Sequence, residues 1–146
     1  MAEQIQFEHG PRDLLAERVK DVVQGKGDYP AAAPMDARRV LLIIAGHRGR
    51  ASAVPLEKIG ALLSLGDREI KQAVKTLRDD FAMPIGASRV EPYGYFLCET
   101  AEDLAAAVRP LVHEIRSLAR TVKMMTPDSR MAELAGQLEI EAGKES

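Results

Sequence analysis

Three residues, Ser64-Leu-Gly66, are all that separate two runs of helical apolar spacing. In the first run, residues 55–63, Leu56, Ile59, Leu62 and Leu63 fall on one side. Pro55 suits its opening position, because an amide hydrogen there would have no partner inside the helix. In the second run, residues 67–81, Ile70, Ala73, Val74, Leu77 and Phe81 form one stripe. Asp67 is expected to cap this second helix by accepting hydrogen bonds from the free amides of its first turn. With so short a break the two helices must cross sharply, as in a helix-turn-helix.

The face opposite the stripe is polar. Advancing about 100° per residue from Arg68 puts Lys71, Gln72 and Lys75 within roughly 60° of it. Three cations and an amide then share one solvent face. Arg and Lys can meet guanine O6 and N7 or phosphates, and Gln can pair with adenine N6 and N7, so a DNA major groove can use this set. Any exposed amphipathic helix carries a polar face, so the helix alone does not define a function. Asp79 lies near the same face, but at the C-terminal end, whereas recognition helices probe bases mainly with their N-terminal residues.

Immediately downstream, residues 83–89 read as a short strand, 90–94 as a turn punctuated by Pro92 and Gly94, and 95–98 as a return strand. A strand-turn-strand directly after such a helix is a wing. Arg89 near its tip is placed to reach a phosphate or the minor groove, while Tyr93 and Tyr95 suit packing equally well.

Asp67-Arg-Glu-Ile-Lys-Gln-Ala-Val-Lys-Thr-Leu-Arg78, Pro84-Ile-Gly-Ala-Ser-Arg89 and Tyr93-Gly-Tyr-Phe96 together resemble the winged-helix domain of biotin-ligase repressors and of small phage or prophage helix-turn-helix proteins. Those families share an REI-x-x-x-V-x-x-LR helix, a P-I-x-x-S strand and a GYF strand. The resemblance covers roughly residues 36–97 and implies Arg68, Lys71, Gln72, Lys75 and Arg89 as DNA-facing positions. This sequence departs from the family pattern at two places. Phe81-Ala82 replaces the usual glycine before the P-I strand, and Pro92-Tyr93 stands where a glycine pair is common.

The third helix of such a domain lies upstream, with Asp36 as cap of residues 37–45 and Gly46 as its end. Residues 40–44 are apolar all round, which places this helix in a core. Residues 51–54 suit the small first strand, and His47, Arg48 and Arg50 form a basic loop between them. Before this domain, residues 11–24 read as an amphipathic helix ended by Gly25. Residues 25–34, with two glycines and two prolines, read as a linker.

After the wing, Thr100-Ala-Glu-Asp103 resembles a capping box that opens a long helix toward Met125. Leu104, Val108, Leu111, Ile115, Leu118, Val122 and Met125 alternate four and three apart, a heptad seam able to pair with a second copy or to pack within the chain. Pro110 should kink or divide it. A last helix is expected over residues 127–142 with Thr126 as cap, and residues 143–146 should fray. The expected organisation is an N-terminal helix and linker (1–35), a winged helix-turn-helix (36–98) and a helical extension and dimerisation element (99–146).

The function classes narrow by composition. At 146 residues the chain can hold a compact core plus extensions. Its longest apolar run, residues 40–45, is far short of the roughly 20 needed to span a bilayer, and the N-terminus carries no secretion signal. The single cysteine, Cys98, excludes an internal disulfide and a cysteine zinc site, so a cytoplasmic protein is expected. The net charge is −2, yet residues 36–94 hold 10 basic and 7 acidic groups, so the positive balance lies in the proposed winged helix. His9, His47 and His113 are scattered without metal-ligand spacing, adjacent carboxylates such as Asp79-Asp80 diverge on a helix, and no phosphate-binding glycine loop is present. The expectation is a non-enzymatic, cofactor-free, mainly α protein with a small β-hairpin wing. It would bind duplex DNA sequence-selectively as a homodimer, in transcriptional regulation or phage-type replication. The alternative is a winged-helix scaffold that meets another protein.

Overall fold

The computed structural model describes residues 13–144, so His9 and the expected first turn at residues 11–12 lie outside the described residues. The protein is mainly helical with one small two-stranded antiparallel sheet. It divides into two compact units, residues 1–97 and residues 98–146.

In the first unit, α1 (Leu14–Val23), α2 (Met35–Ile44), α3 (Leu56–Leu63) and α4 (Asp67–Phe81) precede the strands β1 (Ile85–Ser88) and β2 (Gly94–Leu97). The apolar stripe of α4 is buried throughout and meets Val40, Leu41 and Ile44 of α2 and Ile59 of α3 in one core. Val19 and Val22 of α1 join that core. Residues 25–34 are strapped to it. Arg38 Nε donates to the Ala33 carbonyl at 2.7 Å, Ala33 is buried, and the Tyr29 ring lies 5.0 Å from that of Phe81.

Several local expectations are corrected. Residues 40–44 are not covered on all sides, because Leu42 is 63% exposed. It borders a cleft of about 350 Å³ against α1, lined also by Ala16, Val19, Val23 and Ala45. Asp36 sits inside the first turn of α2, pairing with Arg39 at 3.6 Å, while Pro34 precedes the helix. Asp67 is likewise the first helical residue of α4, not its cap. Gly66 takes the cap position, and Glu69 Oε1 lies 3.4 Å from its amide. Both carboxylates still sit where the helix dipole favours negative charge.

The hairpin register pairs Ile85 with Leu97, Gly86 with Phe96, Ala87 with Tyr95 and Ser88 with Gly94. Residues 51–54 do not form a strand, because Arg50–Ser52 wind into a 3₁₀ turn. Only Val54 pairs, exchanging both backbone hydrogen bonds with Tyr95 at 2.8 and 2.9 Å. Farther along the same edge of β2, the Leu97 amide donates to the His47 carbonyl and the Gly49 amide to the Leu97 carbonyl, each at 2.9 Å.

The second unit is a helical hairpin of α5 (Ala101–Met125) and α6 (Arg130–Lys144). Thr100 caps α5, accepting from the Asp103 amide at 3.0 Å, while Asp103 accepts from the amides of Thr100 and Glu99. Pro110 does not divide the segment into two helices, since α5 is helical across it. Proline removes a single backbone bond, and Pro110 is exposed, which leaves water access at that turn. α6 starts later than expected. Thr126 instead closes α5, its hydroxyl donating to the Val122 carbonyl, and Ser129 accepts from the Ala132 amide.

The hairpin helices meet through small residues, with Ala119, Ala135 and Ala142 buried. Glu139 accepts from Lys123 Nζ at 2.9 Å and Arg120 Nε at 3.2 Å, and the two cations hold its carboxyl below the usual range, Lys123 contributing most. The heptad seam takes little part in this contact. Leu104, Val108, Leu111, Ile115, Leu118 and Met125 are all exposed.

Candidate nucleic-acid interface

The orientation of α4 follows from its own sequence. Because Ile70, Ala73, Val74, Leu77 and Phe81 are drawn into the core, the residues between them have to face outward. Arg68, Lys71, Gln72 and Lys75 are all exposed there. The structure thus brings four of the five expected residues onto one helix face, chiefly in its N-terminal half.

Their electrostatics differ residue by residue. Among the described residues, Arg68 and Lys71 make no ion pair. Lys75 does, with Nζ 2.9 Å from Asp79 Oδ2 one turn along the helix. At 70% and 54% side-chain exposure this pair is weak and easily exchanged, so Lys75 is available to a phosphate only in competition with Asp79. Gln72 Nε2 lies 3.5 Å from Thr76 Oγ1, too long to hold its amide. Beside these residues a shallow cleft of about 370 Å³ is lined by Pro34, Asp36, Arg68, Glu69, Gln72 and Thr76. Asp36 and Glu69 give its rim a mixed sign.

Arg89 is exposed just beyond the last residue of β1, as expected for a hairpin tip. Val90 and Tyr93 there are 50% and 58% exposed, which gives the tip apolar as well as cationic surface. Tyr95 behaves differently. It is half-buried against the core, and that burial pushes its phenol above its ordinary pKa, with Arg78 opposing the shift.

Arg78 was not among the expected site residues, and it locks the hairpin to the helix. Its Nε donates to the Ile85 carbonyl at 2.8 Å. The available signal was its place one turn before the end of α4, close in sequence to β1, where a long cationic side chain can turn back. The basic loop, by contrast, is largely committed to the protein. Arg48 pairs with Asp13, whose carboxyl is held below its usual range mainly by that contact. His47 Nδ1 lies 2.8 Å from the Ser52 carbonyl, and Arg50 is exposed.

Among the described residues no group of three or more His, Cys, Asp or Glu side chains could hold a metal ion, and no helix is long and apolar enough to cross a membrane. No protein-family model, curated protein or solved structure matches the chain.

Proposed function

We propose that the first unit is a winged helix-turn-helix that binds duplex DNA, in transcriptional control or phage-type replication. Arg68, Lys71, Gln72 and Lys75 of α4 would enter the major groove, and Arg89 at the hairpin tip would reach backbone or minor groove. The observation that carries this reading is the continuous arrangement of α3, a three-residue turn, α4 and the hairpin. The hairpin is pinned to α4 by Arg78, while the outward face of α4 keeps Arg68 and Lys71 outside ion pairs. Such a unit presents cations to phosphates and an amide to base edges from a rigid element, as base reading requires.

The test is fluorescence anisotropy with a labelled duplex from the gene's own neighbourhood and with a random duplex, at salt concentrations from about 50 to 200 mM. Binding that prefers the native duplex and weakens about tenfold or more in Arg68→Ala and in Lys71→Ala supports the reading. Absence of binding to either duplex at the lowest salt overturns it. The Lys75–Asp79 pair and the acidic rim at Asp36 and Glu69 favour one second reading, a scaffold whose α4 face meets another protein. A scaffold would be indifferent to both duplexes.

A further inference from the structure

The hairpin of α5 and α6 spends its small residues on its internal contact and leaves its large ones outside. On α5, Leu104, Val108, Leu111, Ile115, Leu118 and Met125 are between 40% and 75% exposed. On α6, Met131, Leu134 and Leu138 are between 42% and 58% exposed. Where the helices lie side by side the two rows belong to one face, and Leu104, Val108 and Leu111 continue it along the part of α5 that extends beyond α6. The helices run antiparallel, since Lys123 lies against Gly136 and Glu139 while Arg116 lies against Gly143. Each apolar row sits roughly 90° to the same rotational side of its helix's contact line, and in an antiparallel pair equal offsets point the same way.

That face exposes roughly 900 Å² of apolar side chain, against the few hundred Å² usual for the largest patch on a monomer and about 800 Å² per partner in a standard stable interface. None of the nine residues is charged. We infer that the face is covered by the same face of a second copy of this chain, two hairpins closing into an antiparallel bundle in which the second copy's α6 lies beside the part of α5 that its own α6 does not reach, rather than α5 pairing alone as a two-stranded coiled coil. Each copy contributes two of the four helices, and the heptad spacing of α5 becomes one side of the bundle core.

Charge selects the orientation of the two copies. Glu99, Glu102 and Asp103 crowd the N-terminal end of α5, whereas at the closed end of the hairpin Arg120, Lys123 and Arg130 are balanced by Asp128, Glu133 and Glu139. Stacking the copies parallel would gather the acidic ends together. An antiparallel arrangement keeps the two acidic ends apart, each beside the charge-balanced end of the partner, with two-fold symmetry. A lipid surface is a poor alternative occupant, because the second unit carries more acidic than basic groups and no cationic border to its apolar face.

This inference does not depend on DNA binding, and its test uses the full chain without nucleic acid. Sedimentation velocity at about 10 µM should give twice the chain mass, a Kd in the micromolar range or below being enough. Ile115→Lys/Leu138→Lys should weaken dimerisation at least about a hundredfold while helical circular dichroism is retained, since each lysine would bury an unpaired charge. In a Cys98→Ala background, Leu104→Cys mixed with Met125→Cys should form a cross-chain disulfide, whereas neither variant alone should. Disulfides within each single variant would overturn the antiparallel arrangement. A monomeric wild type would overturn the proposal altogether. If that monomer fails to bind a hydrophobic dye, another segment of the same chain covers the face; if it binds the dye, the face is open to a different protein.

Discussion

Gly94→Ala should detach the hairpin from the body of the first unit. Gly94 has φ +127°, where a side chain is strained, and a Cβ built there would lie 2.0 Å from the Val54 carbonyl oxygen, 2.3 Å from its carbon and 2.7 Å from the Pro55 nitrogen. All three are backbone atoms, so no rotamer change relieves the collision. Relief requires separating β2 from residue 54, which breaks the two hydrogen bonds between Val54 and Tyr95, worth about 1 kcal/mol each. Forcing a side chain to positive φ adds about 1–2 kcal/mol. The total, about 3–4 kcal/mol, corresponds to a fall in Tm of about 12–30 °C for a unit of this size. Thermal unfolding followed by circular dichroism measures it. A fall below about 5 °C would refute the reasoning, because β2 would then tolerate the displacement and Val54 would not be what holds it.

Three further substitutions test separate features. Ala82 ends α4 at φ +52°, so Ala82→Gly should raise stability by about 0.5–1 kcal/mol in chemical denaturation, and an unchanged midpoint would contradict the left-handed geometry. In Gly136→Ala the new Cβ would stand 3.9 Å from Lys123 Cδ, an ordinary contact, so the gain in helix propensity should stabilise α6 by about 1 kcal/mol; destabilisation would mean a tighter helix contact than the structure has. Glu139→Gln should destabilise the hairpin at neutral pH. Because the native carboxyl is depressed below 4.5, the contribution of Glu139 is fully present above that value and lost as pH falls through the native pKa. Wild-type and variant unfolding curves should therefore converge in acid, and a gap that persists there would show that Glu139 acts by packing instead of charge.

The parts of the fold that were legible in the sequence were those where one local force dominates. The stripe Ile70, Ala73, Val74, Leu77 and Phe81 could only turn inward, and its burial fixes the outward direction of Arg68, Lys71, Gln72 and Lys75. Thr100 and Asp103 were readable as a cap because each satisfies an amide of the other within one turn. What stayed illegible depends on partners distant in sequence. Arg38 binds the carbonyl of Ala33, turning an apparent linker into a packed strap. Arg18 donates to the Ala82 carbonyl, which no local pattern announces. Arg48 is removed from the basic loop by Asp13, 35 residues away. Residues 51–54 have strand composition, yet the 3₁₀ turn at Arg50–Ser52 leaves only Val54 free to pair. In the second unit the heptad seam was visible, but its meaning was not. Ala119, Ala135 and Ala142 make a close helix contact that displaces the larger residues to the surface.

That displacement bears on how the proposed DNA contacts would add up. Arg68, Lys71 and Arg89 are the exposed cations of the interface outside ion pairs, with Lys75 shared by Asp79. If each of the three neutralises one phosphate, counterion release gives a slope of log affinity against log salt of about −3 for one copy and about −5 for two. Between 50 and 200 mM salt these correspond to losses of roughly fortyfold and roughly two thousandfold. A single copy is therefore a weak binder, and joining two copies multiplies affinity by making the second contact intramolecular. The comparison to make is wild type against Ile115→Lys/Leu138→Lys, which leaves every cation of the interface in place. Approximate halving of the salt slope, together with the loss of the dimer, would show that both copies engage one duplex. An unchanged slope in a monomeric variant would mean that one copy makes all the phosphate contacts, and the second hairpin would then serve assembly without adding to DNA binding.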